Sequence, residues 1–300
     1  MQRNTKLVIC ALALTGFTLF SPAHAAVKAL ACGGVKTITA EAARLNPGDV
    51  LQVSGTCTEN VSIPAHVNSI TLQGVGGATV EAPGGTGAAF SVRGRAIRIT
   101  GFTIRGAGEG VQVIDGGFAW IHGNTIESLT GIGINLAANG TARIWSNIIR
   151  NNGASGINIS RSSSASIGVV SVVDATASPN EITGNAGEGI HVSGSSMAVI
   201  LGNVISGNGS HGVLLNRGSS AEVASNTIAG NSGSGVAATQ NSSIRLGNLT
   251  GTDLRSTPNS GTGNGEWGVQ CTGGGHIGGR LGGLGGALGA TDILGCAGGL

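Results

Sequence analysis

The feature that most constrains this chain is a phrase it repeats in phase. N-x-[IV]-x-x-N-x-x-x-G-[IV] starts at Asn147, Asn180, Asn203 and Asn226, at Asn124 with Leu129 in place of the second Asn, and in weaker copies at Gly101 and Asn259. The matching glycines, Gly110, Gly133, Gly156, Gly189, Gly212, Gly235 and Gly268, are separated by 23, 23, 33, 23, 23 and 33 residues. A unit of 23 residues is therefore interrupted twice by ten extra ones, near Val169–Ser178 and Asn248–Thr257. A fixed period of this length is the signature of a solenoid. Within each unit apolar residues alternate over three or four positions, as in Ala221/Val223 and Val213/Leu215, which predicts short strands. No window sustains the helical stripe that a substantial helix needs.

Short strands joined by Gly/Asn turns in a 23-residue period predict an all-β, single-domain right-handed parallel β-helix of nine or ten coils. Successive coils rest about 4.8 Å apart, the spacing of hydrogen-bonded strands. Asn124, Asn147, Asn180, Asn203 and Asn226 should stack at one corner, and Asn152, Asn185, Asn208, Asn231 and Asn264 at another, since an amide both donates and accepts along such a stack. Asparagine tolerates left-handed turns and glycine permits a corner without a Cβ. On this reading the repeated residues carry shape, and chemistry has to be sought elsewhere.

The chain opens with Arg3 and Lys6, an apolar run of 14 residues from Leu7 to Phe20, and the small-residue pattern Ala23-x-Ala25. Residues 1–25 read as a secretory signal peptide, and the run is shorter than the roughly 20 residues of a membrane span. An exported protein, periplasmic or extracellular, with no transmembrane segment is expected. Without Arg3 and Lys6 the 16 Lys+Arg fall to 14, equal to the 14 Asp+Glu, so charge gives no support for nucleic-acid binding. Glycine makes up 56 of 300 residues, yet 40% of the chain is apolar, which separates it from disordered Gly/Ser-rich sequence. Cys10 leaves with the leader. Cys32, Cys57, Cys271 and Cys296 form two pairs, each 25 positions apart, and read as the disulfides Cys32–Cys57 and Cys271–Cys296. A four-cysteine zinc site is the rival, but the C-x2-C pairs it favours are absent.

The repeats between Gly101 and Val269 resemble the right-handed β-helix proteins of the pectate-lyase-like superfamily. The opening "VKTITAEAARLNPGDVLQVSGTCTENVSI", with its "NPGD" turn and "GT-x-x-EN-V-x-I" phrase, is similar to that group's N-terminal segment. The resemblance implies a first coil capped by a short helix, placed at Ala40–Leu45, within an N-terminal region 26–100. Regular coils then occupy 101–270, and the Gly-rich residues 271–300 form the opposite cap. It also implies polysaccharide-degrading or epimerising chemistry using carboxylates with Arg or Lys. The chain departs from those enzymes in having no Asp pair, no N-x-D, no R-I-K, no D-P-H-D run and no calcium-binding nonapeptide. Ser210-His211-Gly212 is a partial match to G-H-G. No metal and no cofactor are expected.

Two constellations stand out. Residues four and two before the corner Asn should face solvent, because Ile121 and Ile144 at minus three face the core. This places Trp120, His122, Arg143 and Trp145 on one outer surface, a carbohydrate-binding candidate, although aromatic rings there also suit packing under a loop. Glu188 and His211 directly precede repeat glycines, and His191 follows on the next strand. These three are the candidate catalytic residues, with Arg143 or Arg217 to orient an acidic sugar, and with solvated surface as the plainer reading. The two ten-residue insertions are expected to wall a cleft beside them. The missing superfamily motifs favour a carbohydrate- or cell-surface-interacting scaffold over an enzyme. The alternative is a polysaccharide lyase, hydrolase or epimerase, and the second alternative a structural or assembly protein of the envelope.

Overall fold

The computed structural model describes residues 25–171, 176–247, 253–294 and 296. The expected leader falls outside them except for its last residue. Among the described residues no helix is long and apolar enough to cross a membrane.

Parallel strands wind into a solenoid with three faces. The first face is an 11-stranded sheet that begins at Val27–Ala31 and ends at His276–Gly279. The other 20 strands among the described residues form two series that alternate along the chain, one running through Thr125–Glu127 and Ile148–Arg150 (the second face), the other through Ile134–Leu136 and Ile157–Ile159 (the third face). Eleven strands exceed the nine or ten coils expected. The difference arises at the ends, where the repeat phrase is absent but Val27 still pairs in register with Val50, and His276 with Ser243.

Alternation sets the core. On the first face Ala119, Ile121, Ala142 and Ile144 are buried, while Trp120, His122, Arg143 and Trp145 point outward and are half-buried. Stacked coils superpose like side chains, so Ile134, Ile157 and Ile190 form one buried row. Burying such a side chain stabilises the fold by about 1.5–3 kcal/mol.

Both asparagine stacks are present. Asn124, Asn147, Asn180, Asn203, Asn226 and Asn259 pass one Nδ2–H···Oδ1 bond per coil, at 3.1, 2.9, 2.8, 3.1 and 2.9 Å. Asn152, Asn185, Asn208, Asn231 and Asn264 do the same at 2.9, 3.0, 2.9 and 3.0 Å. Each Oδ1 also accepts a backbone N–H of the preceding coil, as Asn203 does from Asn180 at 3.1 Å. The corners are thus satisfied internally although they are buried, which is what a buried polar row requires.

The ends are closed locally. A helix at Ile38–Ala42 caps the first coil, two residues earlier than expected at its start. The shift follows from Thr37, whose Oγ1 accepts the Ala40 N–H, and from Glu59, which takes the N–H groups of Ile38 and Thr39. Asp49 is structural, accepting the N–H groups of Asn46 and Ala26. Disulfides join Cys32 to Cys57 and Cys271 to Cys296, with Cα–Cα distances of 4.9 and 5.6 Å. The Gly-rich tail does not leave the solenoid at once: strands Gly283–Gly286 and Gly289–Asp292 extend the second and third faces and meet each other in an antiparallel pair.

Candidate active site

The third face brings Glu188, His191 and His211 together. Glu188 and His211 precede Gly189 and Gly212, at which the coils approach so closely that a Cβ on Gly189 would lie 2.6 Å from the Gly212 carbonyl oxygen. That contact excludes larger residues and leaves the preceding side chain to project outward. Glu188 Oε2 accepts the Ser155 hydroxyl at 2.7 Å and Oε1 accepts that of Ser210 at 3.3 Å. Burial alone would raise the Glu188 carboxyl. The Ser155 bond, its own backbone N–H, the neighbouring His191 and the Ser210 bond outweigh that, and hold it below the usual carboxylate value.

His211 sits in a seat built by the next coil. Its Nδ1 accepts the Ser234 backbone N–H at 2.9 Å, and a Cβ on Gly233 would come within 2.8 Å of that nitrogen. Burial lowers the His211 pKa, against the opposing charges of Glu266 and Glu188. A proton added at Nδ1 would also face a donor. The ring is therefore neutral near pH 7 and carries its hydrogen on Nε2. His191 is in register with Asn158 and Leu214, and its Nε2 is enclosed without a hydrogen-bond partner.

Sequence reasoning missed Glu266. It lies two residues before Gly268, so the repeat phase puts Trp267 at the outward position. The Glu266 side chain nevertheless reaches back to accept the Ser234 hydroxyl at 3.1 Å. Neither arginine proposed for orientation contributes to the electrostatics of Glu188 or His211. Arg217 is exposed in a turn at φ 53°, and Arg143 is on the first face. Glu109 occupies the Glu188 position three strands away, about 14 Å. Burial raises its carboxyl despite hydrogen bonds from Asn135 and Gln112.

The insertions flank a different face from the one expected. Residues 172–175 and 248–252 lie outside the described residues. Val169 and Leu254, from the described parts, pack with Leu201 and Ala224 in a small apolar cluster outside the main core. The described parts of both insertions adjoin the ends of first-face strands Ser164–Ile167 and Ser243–Leu246, where Val169 and Leu254 cover the outward Leu201 and Ala224. Arg255 pairs with Glu222 there.

On the first face the predicted cluster forms, with its rings partly used internally. His122 stacks on Trp145 at 4.4 Å between centroids with planes 7° apart. Arg98 lies over Trp120 at 5.3 Å, and Phe118 meets the same ring edge-on at 4.8 Å. Burial, then the Arg98 charge, lowers the His122 pKa. Tryptophan fluorescence should accordingly be quenched on acidification with a midpoint below the ordinary 6.5 as His122 gains a proton against Trp145. His122→Gln should abolish that transition, and a midpoint at or above 6.5 in the parent would contradict the stacked, desolvated ring.

These three stacked faces define a parallel β-solenoid. The description "Right handed beta helix region" matches residues 52–175 and 159–277, and the chain belongs to that family. No curated protein matches it significantly. Among solved structures, the A-module of the Azotobacter vinelandii mannuronan C-5 epimerase AlgE4 is 14% identical with a TM-score of 0.48, covering 87% of this chain and 93% of that one. An alginate lyase from Paenibacillus sp. is 14% identical at 0.45, covering 88% and 97%. The catalytic unit of a GH87 α-1,3-glucanase from Streptomyces thermodiastaticus is 13% identical at 0.47, covering 93% and 69%. At these identities the likeness is one of fold.

Proposed function

We propose that this is an exported polysaccharide-modifying enzyme of the lyase or epimerase type, with its chemistry at Glu188, His191 and His211. The observation that supports this reading is the His211 seat: an Nδ1 occupied by the Ser234 N–H leaves Nε2–H as a fixed donor beside an ionised Glu188. Glu188 then takes a proton from a sugar carbon next to a carboxyl group, and the electron pair passes onto the carboxyl oxygens. It returns either to expel the glycosidic oxygen of the adjacent carbon, which leaves as an alcohol with a proton from Glu188 or solvent, or to take a proton from solvent on the opposite face of the same carbon. The Nε2–H of His211 donates to the oxygen on which negative charge develops, as a neutral imidazole does when it polarises a carbonyl. Glycoside hydrolysis fits less well, since it needs a protonated carboxylic acid near its partner carboxylate. Glu188 is held ionised, and the raised Glu109 is about 14 Å off. Export is supported by the two disulfides and by the leader-like residues 1–25.

The scaffold reading keeps one supporting observation, the aromatic and cationic cluster of Trp120, His122, Arg143 and Trp145. One face each of Trp120 and Trp145 is already covered by Arg98 and His122, which reduces the ring surface left for a sugar. The test is to incubate the purified protein with a panel of carboxylated and neutral polysaccharides and follow unsaturated products, reducing ends and epimer composition. Product from a carboxylated chain supports the reading. Turnover of neutral chains alone rejects it in favour of a hydrolase, and turnover of none rejects it in favour of the scaffold.

A further inference from the structure

The outward residues at the middle of the first-face strands form one row in exact coil register: Arg98, Trp120, Arg143, Ser166, Val199, Glu222 and Arg245. Arginines stand at the first, third and seventh places. Their separations are two and four strands, about 10 and 19 Å, both even multiples of the strand spacing. The one acid in the row, Glu222, is paired with Arg255. Arg98, Arg143 and Arg245 make no ion pair among the described residues, and Arg143 is steadied by a 3.4 Å bond from Nη1 to the Val170 carbonyl. Beside the row lie two shallow depressions of about 290 and 300 Å³. The first is floored by Thr141, Ser164 and Ser166 next to Arg143, the second by Ser220 and Ser243 next to Arg245. Met197, which is 58% exposed, and Val199 form the ridge shared by both.

We infer that this furrow is a second glycan site, separate from Glu188, that holds a linear carboxylated polysaccharide lying along the solenoid axis. A linear chain of pyranose rings advances by roughly one strand spacing, about 5 Å, per sugar, so an extended two-fold chain presents a carboxylate to the same side every second strand. Arginines two strands apart meet that period, and a guanidinium grips a carboxylate with two parallel hydrogen bonds. Serine floors leave room for rings and offer hydroxyls, while the Met197/Val199 ridge gives an apolar edge against which a sugar face rests. The polysaccharide reading suggests the kind of ligand; the site itself rests on the arginine register and the two depressions.

The test is direct binding, measured by calorimetry or biolayer interferometry with polygalacturonate oligomers, and with dextran sulfate, neutral dextran and phosphatidylglycerol vesicles as comparison probes. Polygalacturonate should bind in a salt-sensitive way, and Arg98→Gln, Arg143→Gln and Arg245→Gln should each weaken it about fivefold, with melting temperatures unchanged. Arg217→Gln, which alters an exposed turn outside the row, should not. Val199 occupies the vacant fifth place of the two-strand period. Val199→Arg should therefore tighten binding, whereas Ser166→Arg, out of phase by one strand, should do so much less. Glu188→Gln should bind in the furrow as the parent does, so loss of turnover and loss of this site are read separately. Equal effects of Ser166→Arg and Val199→Arg, an equal loss from Arg217→Gln, or vesicles or dextran sulfate binding as well as polygalacturonate would overturn the inference.

Discussion

Glu188→Gln is expected to leave the melting temperature and glycan affinity nearly unchanged and to lower turnover by at least about 100-fold, the usual contribution of a positioned base. The glutamine keeps the shape, with its oxygen accepting one of the two serine hydroxyls and its NH2 donating to the oxygen of the other, but it cannot take a proton. On the proposed mechanism both Glu188 and His211 act in their deprotonated forms. Glu188 is held below its ordinary 4.5 and His211 below its ordinary 6.5, so activity is lost as pH falls through those lowered values and is complete by neutral pH. An activity that instead declines as pH rises from about 5 to 7, the span of ordinary imidazole titration, would assign the proton-donating role to an imidazolium and remove Glu188 as the base.

Asn203→Ala should be among the most destabilising polar-to-alanine changes in the chain. The Asn203 side chain accepts from the Asn180 N–H and Nδ2 at 3.1 and 2.8 Å and donates to the carbonyls of Ile167 and Leu201 and to Asn226 Oδ1, each at 3.1 Å. Asn180 and Asn203 are 0% and 1% exposed, so no water replaces the missing partner. Leaving two or more buried groups unpaired costs roughly 2–5 kcal/mol. Asn216→Ala is the comparison, since Asn216 lies outside both stacks and its Oδ1 has no partner to lose. Equal denaturation midpoints for the two variants would contradict the ladder as a source of stability.

The corners were readable in the sequence because the solenoid imposes translation. Any residue that must repeat in space, such as Asn147 or Gly156, repeats in the chain at the same period, and its chemistry names its role. The outward cluster of Trp120, His122, Arg143 and Trp145 was readable for the same reason, as was the approach of Glu188 to His211 across one coil. What the period does not encode is how a long side chain bends. The stacking of His122 on Trp145 and the reach of Glu266 back to Ser234 depend on rotamers and on an irregular last repeat, so neither shows in the phrase. The destination of the insertions was equally hidden. Leu201 and Ala224 occupy outward positions, and only the folded sheet shows that these apolar residues need Val169 and Leu254 as cover.

The third-face chemistry depends on a neutral His211, with its hydrogen on Nε2, beside a charged Glu188. Imidazole nitrogen NMR of the protein, with His211 assigned by comparison with His211→Gln, measures this without a substrate. His211 should show the Nε2–H form at neutral pH and a titration midpoint below the ordinary 6.5, lowered further in Glu188→Gln because a favourable charge is removed. A ring protonated on Nδ1 at neutral pH, or a midpoint at or above 6.5 in the parent, would contradict it.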